Sequence, residues 1–120
     1  MAHSEFEHLY ENNWSEWKRF PNPDKGEYLY APFGHGVYQL RLISTEEYIL
    51  FGRGKNVAYR MSSLLPAPKG QGTRNNKGKK SYVLENIENI EYRTIAFKEE
   101  ISTIAFEDYI KGKETYIFKK

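Results

Sequence analysis

The chain has 120 residues, a net charge of +2 and 39% hydrophobic residues, which is enough for a single domain with a modest core. It contains no cysteine, which excludes disulfides and thiolate zinc sites and is compatible with a reducing cytoplasm. The sequence has no run of about 20 apolar residues to span a membrane and no apolar stretch typical of a secretory signal, so we expect a cytoplasmic protein.

The charges are unevenly distributed along the sequence. Residues 32–80 carry nine basic and two acidic side chains, whereas the acidic side chains outnumber the basic ones in residues 1–31 and in residues 81–120. A local excess of positive charge is typical of surfaces that bind phosphate groups. A solvated basic loop would give the same count, so charge alone leaves both interpretations open.

The first 34 residues are predicted to form a helical arm. Between residues 4 and 19, apolar and aromatic side chains recur at a spacing of three to four residues, which predicts an amphipathic helix; they are Phe6, Leu9, Tyr10, Trp14 and Trp17. The following segment, residues 20–26, is rich in turn residues. We expect the arm to pack against the rest of the chain, with a homodimer contact through the arm as the alternative.

Two strands are predicted after the arm. Residues 36–43 alternate with period two and place Tyr38 on one face together with two leucines. Residues 47–51 form the second strand, on which Tyr48 and Leu50 are expected to share a face. The three residues between the strands are few enough for a hairpin.

The rest of the sequence predicts three helices and one more strand. Apolar spacing indicates helices at residues 55–65, 81–89 and 99–111 and a strand at residues 90–97. The intervening stretch 66–80 has three glycines, two prolines and five basic residues, and a structureless stretch of this length is usually functional or disordered. The order of elements predicts an α/β (α+β) fold with a small three-stranded, mainly antiparallel sheet flanked by helices.

Several motifs within residues 35–112 resemble the GIY-YIG nuclease superfamily. The tripeptide GVY at residues 36–38 stands where the family has its first motif, LFG at residues 50–52 stands where it has its second, and Arg60 follows on the next helix. The segment GRGKNVAYRMSSLL is similar to part of the N-terminal module of the excision-repair incision nuclease, and the region is also similar to intron-homing endonucleases. The resemblance implies that residues 35–120 form a GIY-YIG-like nuclease domain.

The resemblance also implies an activity, a cofactor and a set of site residues. The implied activity is that of a hydrolase, an endonuclease that cuts DNA phosphodiester bonds with one divalent metal ion, Mg²⁺ or Mn²⁺. Tyr38 matches the tyrosine that activates or orients the attacking water, and Arg53 falls where relatives have a lysine. Arg60 matches the arginine that contacts the scissile phosphate, and Glu107 matches the metal-binding glutamate. These residue types suit the reaction, because the transition state gathers negative charge and Mg²⁺ prefers oxygen ligands.

Each of these residues also has a purely structural interpretation. The alternation of its strand would make Tyr38 a core residue, and Arg60 would be a solvated arginine on the flank of its helix. On the last predicted helix, periodicity alone cannot choose between Glu107 and Asp108 as the acid that faces apolar neighbours. The resemblance alone selects Glu107.

Leu50 departs from the family pattern, since relatives carry a tyrosine at this position. Tyr48, two residues earlier on the same predicted strand face, is a candidate for a partial catalytic substitute if the site is shifted toward it. Relatives often have a tyrosine or histidine where this chain has Leu64, and many have an asparagine beyond the last helix, where this chain has none.

These departures support an alternative function, that of a weakened or inactive GIY-YIG-fold module that binds nucleic acid through its basic loop. Basic side chains in and near the loop would neutralise backbone phosphates without reading the base sequence; they are Lys55, Lys69, Arg74, Lys77, Lys79 and Lys80. A third possibility is a purely structural domain that contacts a protein partner through the aromatic arm.

Overall fold

Among the residues that the computed structural model describes, which are 3–22, 25–62 and 77–118, four antiparallel strands form one sheet with helices packed on it. In chain order the elements are α1 (His3–Asn12), β1 (Lys18–Arg19), β2 (Gly36–Leu42), β3 (Tyr48–Gly54), α2 (Val57–Ser62), α3 (Lys77–Glu85), a 3₁₀ turn (Ile87–Asn89), β4 (Ile90–Ala96) and α4 (Glu100–Lys113). The strand order in the sheet is β1-β4-β2-β3. The α+β class is therefore confirmed.

Strand β1 adds a fourth strand to the three that the sequence predicts. The expected helix over residues 4–19 stops at Asn12, and residues 18–19 pair with residues 91–92 of β4. Between these points the amide of Ser15 donates to the carbonyl of Thr94, and the amide of Thr94 donates to the Ser15 hydroxyl. The prediction of one long helix was wrong because the chain leaves the helix to pair with the edge of β4, whose backbone groups need partners.

A β-bulge in β3 reverses the side-chain alternation between Tyr48 and Leu50. Leu40 pairs with Leu50, but the next residue, Arg41, pairs with Tyr48, so Ile49 is an extra residue on β3. Ile49 and Leu50 lie in one core cluster, whereas Tyr48 packs against the other. The expectation that Tyr48 and Leu50 share a face was wrong, because one inserted residue exchanges the two faces of a strand.

Each face of the sheet carries its own core. On one face, which we call the α2 face, side chains of β2 and β3 pack against α2 and α3; the core residues include Tyr38, Leu40, Leu50, Val57, Met61 and Val83. On the other, the α4 face, the strands pack against α4 and α1, with a core that includes Val37, Phe51, Ile95, Phe106, Ile110 and Tyr10. None of the described helices is both long enough and apolar enough to cross a membrane.

The C-terminal residues cover part of the outer edge of β3. The amide of Ile117 donates to the carbonyl of Tyr48, and the amide of Phe118 donates to the carbonyl of Ile49. This pairing satisfies backbone groups at the start of an edge strand. The later part of β3, from Phe51 onward, borders the cavity that contains the candidate site.

Candidate functional site

A cavity of about 270 Å³ lies beside the end of β3 and is lined by residues from five elements. The lining residues that the structure describes are Tyr38 from β2, Phe51, Gly52 and Arg53 from β3, Arg60 from α2, Lys79 from α3 and Glu107 from α4. Three of these side chains are cationic and one is a carboxylate. The cavity is therefore suited by charge to an anionic ligand.

Tyr38 is held in the cavity wall by its position over Gly52. The two residues pair directly across β2 and β3, and the Tyr38 side chain is almost completely buried. A β-carbon on Gly52 would lie 2.3 Å from the Tyr38 hydroxyl oxygen, which is far inside the contact distance. The glycine at the end of the LFG tripeptide is therefore required by the close approach of the tyrosine ring.

Arg60 reaches the cavity from the short helix α2. Backbone bonds fix the start of this helix, since the amide of Ala58 donates to the carbonyl of Pro32 and the Asn56 side chain accepts from the amide of Tyr59. The helix passes close to the end of β3, where a β-carbon on Gly54 would lie 3.1 Å from the β-carbon of Arg60. A glycine at that position lets α2 approach the strand and brings Arg60 to the site.

Glu107 is the acid that α4 presents to the cavity. The Nε of Arg53 donates to Oε1 of Glu107 at 3.2 Å, and the two side chains are 39% and 28% exposed. Asp108 is exposed and lines a different cavity, between α1 and α4. Of the two acids between which periodicity could not choose, Glu107 lies beside Arg53 and Asp108 does not.

Leu50 and Tyr48 both lie away from the cavity. Leu50 is fully buried in the core of the α2 face. On the α4 face, the ring of Tyr48 lies 6.3 Å from that of Trp17 and 5.7 Å from that of Tyr116, centroid to centroid. The structure therefore does not bring Tyr48 to the side chains that line the site.

Lys79 lines the cavity although the sequence predicted a loop at this position. Helix α3 begins at Lys77, so the expectation of a structureless stretch was wrong for residues 77–80; the rest of that stretch, residues 66–76, lies outside the described residues. Lys79 is only 6% exposed and precedes the buried Val83 by four residues, a spacing that puts both on one helix face. The spacing of Lys79 and Val83 could have indicated the helix from the sequence, but the glycine and the lysines around Lys79 favoured the interpretation as a loop.

Of the other basic candidates whose side chains the structure describes, neither Lys55 nor Lys80 lines the cavity. The exposed Lys55 lies 3.7 Å from a carboxylate oxygen of Glu100, and Lys80 is partly buried on α3. Lys77 begins α3, but its side chain is outside the described part of the structure, and Lys69 and Arg74 lie outside the described residues altogether.

A second cavity of about 580 Å³ lies between α1 and α4 but does not resemble a catalytic site. Its charged lining residues are Glu7, Asp108 and Lys113, beside the rings of Phe6 and Tyr109. Two carboxylates against one ammonium group leave a negative excess, so this cavity does not suit an anionic ligand. The smaller cavity is the better candidate on chemical grounds.

The smaller cavity can be tested for its fit to a divalent cation. No group of three or more His, Asp or Glu side chains among the described residues is placed to hold a metal ion. Mg²⁺ keeps several waters and is commonly held by one or two carboxylates together with substrate phosphates, so Glu107 alone fits that pattern. The neighbouring cations oppose a bare metal ion and favour one that binds together with a phosphate.

Comparisons of the chain with protein-family models, with curated proteins and with solved structures gave no match.

Proposed function

We propose that the chain is a GIY-YIG-type endonuclease that hydrolyses DNA phosphodiester bonds with one divalent metal ion, Mg²⁺ or Mn²⁺. The observation that supports this is the convergence of Tyr38, Arg53, Arg60 and Glu107, from four different elements, on one cavity. These are the four positions at which the sequence resembles the superfamily and carries a polar side chain. Charged and polar side chains that serve only solubility would be spread over the surface and not gathered in one cavity.

Each of these residues of the cavity would have its own role in hydrolysis. The Tyr38 hydroxyl is the group for orienting the water that attacks phosphorus. The guanidinium groups of Arg60 and Arg53 would donate to the non-bridging oxygens, where charge accumulates in the transition state. Glu107 would hold the metal ion, which, when bound, adds positive charge against the developing negative charge of the phosphoryl group.

A second candidate function is a non-catalytic module that binds nucleic acid through the same cationic cavity. The observation that favours it concerns position 50, where the chain has a leucine that is buried in the core. This position therefore offers no hydroxyl group to act on water or phosphate. In this case the three cations would bind a backbone phosphate, and no bond would break.

A cleavage assay on plasmid and oligonucleotide DNA with Mg²⁺ or Mn²⁺ tests the proposal. We expect wild-type protein to cut the DNA, and both Arg60→Ala and Glu107→Gln to cut about 10²- to 10³-fold more slowly, as for the loss of one transition-state contact. Asp108→Asn is the matched control, because it removes the neighbouring carboxylate on the same helix from outside the cavity. It should cut as fast as wild type.

The outcomes separate the two functions. Cleavage that persists unchanged in both site variants would contradict the proposal and point to a contaminating nuclease. DNA binding that weakens steeply with salt, without cleavage in either metal, would favour the binding module.

A further inference from the structure

We propose that Lys79 binds the same phosphate group as Arg60 and is a further catalytic residue of the site. This inference rests on the proposed function, because it names a contact to the nucleic-acid substrate. The sequence suggested only that Lys79 belongs to a loop that follows the DNA backbone. The structure instead has Lys79 in the wall of the cavity.

The cavity wraps around the edge of the sheet, so its lining has two sides. Tyr38, Arg60 and Lys79 belong to the elements of the α2 face, where Tyr38 is part of the core cluster. Arg53 pairs with Val37, which packs on the α4 face, and it meets Glu107 there. A phosphate in the cavity would thus have the metal-binding carboxylate on one side and Lys79 with Arg60 on the other.

Lys79 adds a buried positive charge to the cavity. Lysine side chains are rarely as buried as this one unless they are paired, because burial removes the water that hydrates the ammonium group. Lys79 brings a third cation to a described lining that already contains two guanidinium groups and one carboxylate. The excess of positive charge in this lining favours an anionic ligand such as a phosphate group.

Helix α3 fixes where the ammonium group can act. Val83, one turn after Lys79, is completely buried in the core of the α2 face and anchors this side of the helix. The helix therefore holds the backbone of Lys79 beside the cavity, and burial restricts the positions that its side chain can take. An ammonium group held in this way needs less reorganisation to meet the transition state, so its contact should raise the rate as well as the affinity.

The first test compares Lys79→Gln with Lys111→Gln, which removes the same charge from an exposed position on α4. We expect Lys79→Gln to lower kcat/KM about 10- to 100-fold, the usual value of a hydrogen bond to a charged group, with most of the loss in kcat. Its affinity for DNA should depend less on salt, with the slope reduced by about one phosphate contact. Lys111→Gln should behave as wild type in both assays.

A second test restores the ammonium group chemically. Since the chain contains no cysteine, Lys79→Cys has a single thiol. Alkylation with 2-bromoethylamine adds an ammonium group at nearly the length of lysine, whereas iodoacetamide adds a neutral group. We expect the first product, and not the second, to recover most of the lost activity. Circular dichroism of both products shows whether they fold alike.

Failure of this inference is distinguishable from failure of the proposed nuclease function. If wild-type protein binds DNA but does not cut it, the affinity and salt dependence of Lys79→Gln still test the phosphate contact. The same salt dependence of DNA affinity in Lys79→Gln and Lys111→Gln, or equal recovery with both alkylating reagents, would overturn the role of Lys79. Wild-type protein that binds neither DNA nor inorganic phosphate would overturn it as well.

Discussion

The two faces of the sheet enclose charged side chains in opposite ways. On the α4 face, Arg93 donates to Oε1 of Gln39 at 2.7 Å and lies over the rings of Trp14 and Trp17, at 4.4 and 4.5 Å. At the cavity, three cations share one space with the single carboxylate among its described lining residues. In the first arrangement, described groups of the protein contact the charged side chain directly. In the second, the described lining has an excess of positive charge around an open space, and that difference distinguishes a structural network from a candidate binding site.

The network on the α4 face ties distant parts of the chain together. Gln39 is fully buried, and its Nε2 donates to the hydroxyls of Tyr116, at 2.8 Å, and Tyr10, at 3.3 Å. The Tyr10 hydroxyl in turn donates to Glu114 at 2.6 Å. These bonds join α1, β2 and the residues after α4. A buried network of this kind rigidifies a fold when its members are satisfied.

The largest difference between the faces should appear when one arginine on each is replaced by methionine, which keeps an apolar stem of similar length. Under the proposed nuclease function, Arg60→Met should slow DNA cleavage about 10²- to 10³-fold, because it would remove the proposed contact to the phosphate. The free energy of unfolding should change by no more than about 0.5 kcal/mol, since Arg60 is exposed. Cleavage rates and urea unfolding of the same preparation check both statements. If the loss of stability is large enough to explain the loss of activity, the expected contrast between the two faces is contradicted.

Arg93→Met should have the reverse effect. It leaves Oε1 of Gln39 without its donor and removes the contacts with two tryptophan rings, so we expect unfolding to become about 2–4 kcal/mol easier. Cleavage per folded molecule should stay within about twofold of wild type, because Arg93 does not line the cavity. Urea unfolding gives the first quantity, and the rate at a temperature where the variant is folded gives the second. A large fall in that rate would show that Arg93 also affects the cavity, which contradicts the separate roles of the two faces.

Gly52→Ala tests how tightly the cavity wall is packed. The new β-carbon would clash with the Tyr38 ring, so we expect a loss of about 1–3 kcal/mol in stability and slower cleavage by the folded protein. Gly112→Ala is the control, because its added β-carbon has no atom within 4 Å apart from its chain neighbours and the backbone of its own helix. Within α4 this change should leave stability unchanged or raise it by up to about 1 kcal/mol. Equal unfolding curves for the two variants would show that Tyr38 does not lie over Gly52.

The alternation of β2 and the apolar spacing of α4 were sufficient to predict these elements from the sequence, but the bulge in β3 was not readable. Tyr48, Ile49, Leu50 and Phe51 are four consecutive apolar or aromatic residues, and such a run is compatible with either register. Strand β1 consists of only two residues, so it has no periodicity of its own. Both features follow from pairing with a neighbouring strand, which is a tertiary contact.

The candidate site was predictable only in part for the same reason. Tyr38, Arg60 and Glu107 were selected by a resemblance that fixes their order and spacing, but their approach to one cavity depends on how α2 and α4 pack against the sheet. The position of Lys79 on a helix was not predicted, because the neighbouring Gly78 lowers helix propensity and the segment was interpreted as a loop. Tertiary packing overrides such local preferences, and here it stabilises a helix that brings Lys79 to the wall of the cavity.

The smallest expected effect is the response of the α4 face to alkaline pH. Burial raises the pKa of Tyr116 above its ordinary value, and it raises the pKa of Tyr10, which also donates to Glu114. In the unfolded chain these phenols ionise at about pH 10, so as the pH rises the unfolded state releases its protons before the folded state does. The stability that they contribute is therefore complete below about pH 10 and is lost as the pH rises further.

Tyr116→Phe removes one of these groups and should flatten that decline. Between about pH 9 and about pH 10.5, wild type should lose roughly 0.8 kcal/mol more stability than the variant, as expected for one phenol that ionises only in the unfolded state. Tyr59→Phe is the matched control, because Tyr59 is 55% exposed and its decline should parallel that of wild type. If Tyr116→Phe also parallels wild type, the Tyr116 hydroxyl ionises as freely in the fold as outside it. The α4 face would then be open to solvent, and its contrast with the cavity would disappear.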